Sequence, residues 1–378
     1  MDGFICGALF AVSRKCSRLA EQLAELHAAL PKDDRADPAR ALARRQQLRM
    51  QNEADEARRL AQAILEIATA RDASPLIRRR EISRYRRCVA AGRFAEYFVV
   101  PFLRGFDDTA MELTDLCRRI TTAVDWPHSG WPLVARGATN YFHFIADEED
   151  ELILAPALAG STVLPLPDLV HEMAHALVRN GERRQTLLAE WCSDDYVVVR
   201  VVEALGESKF ARMAARHWVE HGVEEIACDA IAAWVTGPAY AWQHIRACWG
   251  REEGKSVYDD SDYHPPDHAR FEVIELALSR VGGQDELDEI REAWNRIIGD
   301  DESLGDQGGD AAPLPTPYPS ELVLEFVDEV LQGCVRVGIR PFADALAADD
   351  PCRIFSDGWR EMRSEPAAFD RKERQREA

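Results

Sequence analysis

The chain has 378 residues, 46% of them hydrophobic and 30% charged, and carries a formal net charge of −20 at pH 7. That is enough apolar material for a sizeable core. The acidity excludes general nucleic-acid binding, because no cluster of Lys or Arg is strong enough to overcome repulsion from phosphate. No stretch of about 18 apolar residues occurs, so no membrane span is expected.

Only five residues are lysine, and Arg supplies the remaining basic charge. A GC-rich genome or an acidic, salt-adapted surface would each produce this skew. The nine cysteines are odd in number and form no Cys-x-x-Cys pair, which argues against a disulfide framework or a zinc ribbon. They read as reduced, buried thiols in a cytoplasmic protein. Phe4 to Val12 is apolar but only nine residues long, and Arg14 and Lys15 follow it rather than precede it. It is neither a signal peptide nor a span.

In chain order, helical spacing runs from Phe4 to Leu30 and from Arg40 to Arg71, predicting a long helical hairpin. Shorter helices are expected over Leu76–Ala90, Arg93–Leu103 and Asp107–Val124. The turn-rich stretch Asp125–Pro132 marks a boundary. Two strands, Tyr141–Ile145 and Leu152–Ala155, follow, joined by a hairpin loop over Asp147–Glu151. Residues 156–168 contain three prolines and read as a loop, with Pro167-Asp168 opening a helix. Helices are then expected near 186–205, 208–221, 223–235 and 239–249. A loop reaches Pro266, and a helix covers Asp267–Val281. Residues 300–318 are rich in Gly, Pro and Asp and read as a linker. Helices near Glu321–Val337 and Pro341–Ala347 precede a charged tail expected to fray.

The fold class expected is mainly α with a small β-sheet: a core wrapped by N- and C-terminal helices. The segments are an N-terminal helical region (1–125), a central domain (126–282) and a C-terminal helical region (283–378).

The chemistry centres on His171-Glu172-Met173-Ala174-His175, a His-Glu-x-x-His pattern on a helix. One turn separates the histidines, so both imidazoles leave the same face and suit one tetrahedral zinc ion. Glu172 is then free of the metal and placed to act as a base. Downstream, Glu225 and Asp229 are also one turn apart, within the apolar run Ile226–Trp234, where carboxylates need partners. Glu225 would complete a His2Glu set and leave a fourth position for water, while Asp229 would hold the outer nitrogen of a ligating histidine. Glu224 is an alternative ligand without the one-turn spacing to Asp229. A decoy, His217-Trp218-Val219-Glu220-His221, fits the inverted His-x-x-Glu-His pattern. Gly222 is expected to end the helix there, which sets those histidines on a solvated helix end. His244 and the other histidines show no pattern.

Two more motifs follow: Gly237-Pro238-Ala239-Tyr240 and His264-Pro265-Pro266-x-x-x-Arg270. In this order the four motifs resemble those of gluzincins, and in particular the soluble relatives of the CAAX prenyl protease-like zinc endopeptidases. The likeness covers roughly residues 135–280. Cys228 stands where that family usually has Ala, and many members are membrane-embedded, whereas no span is found here. The resemblance implies a zinc-dependent peptide hydrolase whose zincin-like catalytic core is the central domain, 126–282, and puts His264 or Arg270 at the active site, His264 as an oxyanion donor; bracing of the turn is the other reading. Tyr240 is a further oxyanion candidate, with core packing as its other reading. The implied partner is a peptide or protein substrate, aligned by strand addition on an edge strand near Leu152–Ala155. The competing class is a helical regulatory or partner-binding protein that keeps a zinc site without acting as a general protease.

Overall fold

In the computed structural model, residues 2–69, 75–127, 132–137, 142–146, 151–156, 162–249, 256–259, 264–282, 284–299, 316–345 and 347–377 are described. Tyr141, the hairpin loop at 147–150, Gly250, Gly254, Tyr263 and most of the 300–318 linker lie outside them. The fold is mainly α-helical with one small three-stranded sheet. Among the described residues, no helix is long and apolar enough to cross a membrane.

The chain forms two compact units. The first comprises residues 1–115 and 132–157. Helices α1 (Asp2–Ala29) and α2 (Asp37–Thr69) form the expected hairpin. Leu19, Leu23, Leu42 and Met50 fill the interface, and Ser13 Oγ donates to the Ala54 carbonyl at 2.8 Å. Asp33 turns the chain between them by accepting from Arg35 N. Helix α3 (Pro75–Phe94) continues through a π turn over Ala95–Val99 into α4 (Val100–Arg104). Helix α5 (Asp108–Ala123) passes from this unit into the second.

The sheet has strands β1 (Leu133–Arg136), β2 (His143–Ala146) and β3 (Glu151–Ala155) in the order β1-β3-β2. β1 runs parallel to β3, with Leu133 opposite Leu152, and β2 runs antiparallel, with His143 opposite Leu154. This corrects the expected edge strand: Leu152–Ala155 is the central strand, paired on both sides. Its four consecutive buried residues fit that position, because a strand covered on both faces needs no polar alternation.

The second unit comprises residues 116–131 and 158–378 and is built around one helix, α10. Before it come α6 (Pro167–Val178), α7 (Gly181–Leu188), α8 (Asp194–Leu205) and α9 (Lys209–His217). Asn180, Ser193 and Ser208 cap the last three by accepting from a backbone N–H in each first turn. The helix does not stop at Gly222. It runs on through a π turn, Trp218–Gly222, into α10 (Val223–Thr236). A side chain at Gly222 would press on the Tyr318 ring, so glycine here serves close packing rather than termination.

Every residue of α10 except Glu224 is buried, as a helix apolar on all faces must be. Helices α6, α11 (Pro238–Trp249), α12 (Asp267–Val281), α14 (Ser320–Val337) and α15 (Pro351–Ser364) pack around it. Helix α13 (Gln284–Gly299) packs on α11 and α12. At Gly237, φ is +59° and ψ −140°, a conformation open essentially to glycine alone, and Pro238 then starts α11. The expected helix over Pro341–Ala347 is only a 3-10 turn, Phe342–Asp344. The charged tail is not frayed: it forms α15 and α16 (Pro366–Glu377), where Glu373 accepts from Val163 N at 3.1 Å and Phe369 is buried.

Candidate metal centre

The site lies within the second unit, on α6 and α10. Pro167 at the start of α6 supplies a preset φ and no missed donor, and the helix then presents His171 and His175 on one face. Their rings are 5.1 Å apart and both are buried. On the facing helix Glu225 reaches between them. His171 Nε2 is 3.4 Å from Glu225 Oε2, and His175 Nε2 is 3.7 Å from Glu225 Oε1. One nitrogen from each ring and one carboxylate oxygen lie within 4.8 Å of one another.

These residues fit a metal ion on three counts. Zn–N and Zn–O bonds of ~2.0–2.2 Å at a tetrahedral angle separate the donors by about 3.4 Å, close to the spacing found. Glu225 Oε2 is a buried atom without a hydrogen bond, held by ion pairs to His264 Nδ1 at 3.0 Å and His171 Nε2 at 3.4 Å. A carboxylate oxygen in that position keeps lone-pair capacity that a cation would take up. Third, both histidines are oriented from behind, as metal-binding imidazoles need to be.

That support differs for the two rings. His171 Nδ1 lies 2.9 Å from Asp229 Oδ1 and 3.0 Å from the Tyr240 hydroxyl. Asp229 is fully buried, and Arg270 donates to it from Nε at 2.8 Å and Nη2 at 2.7 Å, while the Tyr240 hydroxyl donates at 2.5 Å. His175 Nδ1 lies 2.6 Å from Glu224 Oε1, which also accepts from Arg179 Nε at 2.6 Å. Glu224 is therefore a support for His175 and not an alternative ligand. Sequence reading missed this role. The signal was present in the offset itself: residues 224 and 225 differ by about 100° around a helix, so only one can face the point between the two histidines and the other falls beside it.

The electrostatics follow from burial and pairing. Burial works against the charged form of Asp229, but Arg270 and then His171 outweigh it and hold the carboxyl far below its ordinary range. Glu225 is likewise held far down, with His171 and His264 outweighing burial. Burial alone would lower His171; Asp229 and Glu225 overturn that and raise it to about 10. Burial and the neighbouring Asp229 push Tyr240 well above its ordinary value, which keeps its proton in place for donation. At the start of α6, burial raises Asp168 to about 6 although Gln243 Nε2 donates to it at 2.6 Å.

Of the remaining expected residues, Glu172 is half-buried and next to His171 in chain, and the His264 side chain is 52% exposed beside Glu225. Arg270 and Tyr240 meet at Asp229. His217 and His221 of the inverted motif stack edge to face at 5.6 Å, with Tyr318 Oη 3.4 Å from His217 Nδ1; no metal-binding group among the described residues includes them. Comparison with known protein families, with curated proteins and with solved structures finds no match to this chain.

Proposed function

We propose that this chain is a zinc-dependent peptide hydrolase of the gluzincin kind, with His171, His175 and Glu225 as ligands and Glu172 as the base. The observation that carries the reading is the convergence of both imidazole Nε2 atoms on Glu225, with each opposite Nδ1 backed by its own carboxylate. Two imidazoles and one carboxylate form a donor set that suits zinc and leaves a coordination position for water or substrate. Bound zinc would supply Lewis acidity to the scissile carbonyl and acidify the attacking water.

The chain's own residues do the rest. Glu172 takes the proton from the attacking water and delivers it to the leaving amine. His264, at the exposed side of Glu225, donates to the oxyanion as it develops. Tyr240 has its hydroxyl committed to Asp229, so it positions His171 and does not meet the substrate. Arg270 acts the same way, by fixing Asp229. Leu152–Ala155 cannot take up a peptide by strand addition, since that strand is already paired on both sides.

The test is a peptide-library cleavage assay with a chelator control. The expected result is chelator-sensitive cleavage by the full chain, and a Glu172→Gln variant that keeps its zinc but loses turnover by ~10²–10⁴-fold. Full activity in that variant ends the assignment of the base. Bound metal with no cleavage of any peptide favours the partner-binding alternative on the same fold.

A further inference from the structure

A second set of metal-binding side chains lies along the contact between α11 and α12, apart from the ligands above. His244 and Cys248 are one turn apart on α11, the same spacing that brings His171 and His175 together on α6. Asp267 opens α12 opposite them. A nitrogen of His244, the sulfur of Cys248 and a carboxylate oxygen of Asp267 lie within 4.8 Å of one another. His244 and Cys248 are buried.

Two physical observations point to an ion. Zn–S of ~2.3 Å and Zn–N of ~2.0–2.1 Å at a tetrahedral angle put sulfur and nitrogen about 3.6 Å apart. Cys248 Sγ and His244 Nε2 are in hydrogen-bond contact at 3.6 Å, and the same nitrogen lies 3.2 Å from the Asp267 carbonyl oxygen; an ion would take the place of both contacts. The surrounding wall is also short of partners. Trp294 lies 5.9 Å from His244 and 6.3 Å from His268, ring centre to ring centre. Trp294 Nε1 and His268 Nδ1 are both buried without a hydrogen bond among the described residues. An indole N–H donates only, so Trp294 Nε1 would bond a water carried by an ion and not the ion itself.

We propose that His244, Cys248 and Asp267 hold a second zinc ion that ties α11 to the start of α12. The proposal does not rest on the hydrolase reading. A thiolate, an imidazole and a carboxylate together select zinc over magnesium or calcium, which prefer oxygen alone. Binding releases the Cys248 thiol proton to solvent, because the thiolate is the ligand. The ion's position gives it a role. Tyr240, His244 and Cys248 follow at intervals of four on one face of α11, and Asp267 and Arg270 are one turn apart on α12. The inner end of this seam is the grip of Tyr240 and Arg270 on Asp229. An ion at the outer end holds the two helices in the spacing that grip requires.

Cobalt reports thiolate ligation directly, through a charge-transfer absorption in the near ultraviolet that His2Glu coordination cannot give. The full chain, reduced and stripped with a chelator, is titrated with Co2+. We expect the band to rise to one thiolate–cobalt bond per chain, to persist in Glu225→Gln and to vanish in Cys248→Ser. Asp267→Asn, at a half-exposed residue, keeps the protein testable if the cysteine variant does not fold; its apparent cobalt affinity should fall tenfold or more. Absence of the band in the wild-type chain, its survival in Cys248→Ser, or an unchanged affinity in Asp267→Asn overturns the proposal.

Discussion

Replacing Asp229 by Asn changes one charge and almost no volume, and it tests whether the site stands on a buried ion pair. Asp229 is fully buried, and the Arg270 side chain is only 17% exposed. The substitution removes the carboxylate that accepts two charge-assisted hydrogen bonds from Arg270. Stranding one partner of a buried pair costs ~3–5 kcal/mol. The measurement can be confined to the unit that holds the site, because all nine tryptophans lie in residues 116–131 and 158–378. Tryptophan fluorescence in urea therefore follows that unit. With a slope of roughly 2–3 kcal/mol per molar, the midpoint of the metal-free protein should fall by about 1–2 M. Arg270→Met in the same chain removes the stranded charge and should restore more than half of the loss, as apolar replacement of a buried pair does. A midpoint within about 0.3 M of wild type for Asp229→Asn alone would falsify the claim that this pair is desolvated.

Other outcomes follow from the same geometry. Glu224→Gln keeps an acceptor for His175 but loses its charge; Arg179, 45% exposed, can turn to water. Zinc affinity should therefore drop ~10–100-fold in a competition titration with little change in urea midpoint; a large midpoint change with unaltered affinity reverses the assignment. Asp168 has a folded-state pKa of about 6 against an ordinary 3.8, so the folded chain holds that proton more tightly. Its contribution is full below pH ~4 and is lost as pH rises through ~6, to a total of about 3 kcal/mol. In metal-free protein Asp168→Asn should escape this loss, gaining on wild type between pH ~4 and ~7; parallel curves would show that Asp168 is not desolvated. Gly237→Ala forces a side chain into a glycine-only conformation and against the Phe342 ring. It should cost about 2 kcal/mol or more by the same fluorescence assay, and a neutral result would put the backbone there elsewhere.

Helical character and the residues that meet at the centre were legible because they depend on local periodicity. His171 and His175 share a face by spacing alone, and Glu225 and Asp229 needed partners by virtue of the apolar run around them. What sequence reading missed depends on packing between distant segments. Gly222 reads as a stop, yet the Tyr318 ring 96 positions later in sequence fills the space a side chain would take, and the helix passes through as a π turn. Strand β1 has four residues between turn-forming stretches, too few to show alternation, and without it β3 looks like an edge. The tail reads from its charge as a segment that frays. Among its apolar residues Phe355, Trp359 and Phe369 are buried, and Trp359 Nε1 donates to the Leu164 carbonyl. His244 and Cys248 carry the same spacing as the histidines of α6, but neither stands in a known pattern, so the pair drew no notice.

The burial of α10 on nearly every side has a kinetic corollary. A segment enclosed by five neighbouring helices has no low-energy way to open alone. The peptide amides of residues 225–229 should then exchange with deuterated solvent only when the whole surrounding unit unfolds. The carboxylates of Glu225 and Asp229 therefore ride on a backbone that shifts only with everything around it, and their placement should be as durable as the unit itself.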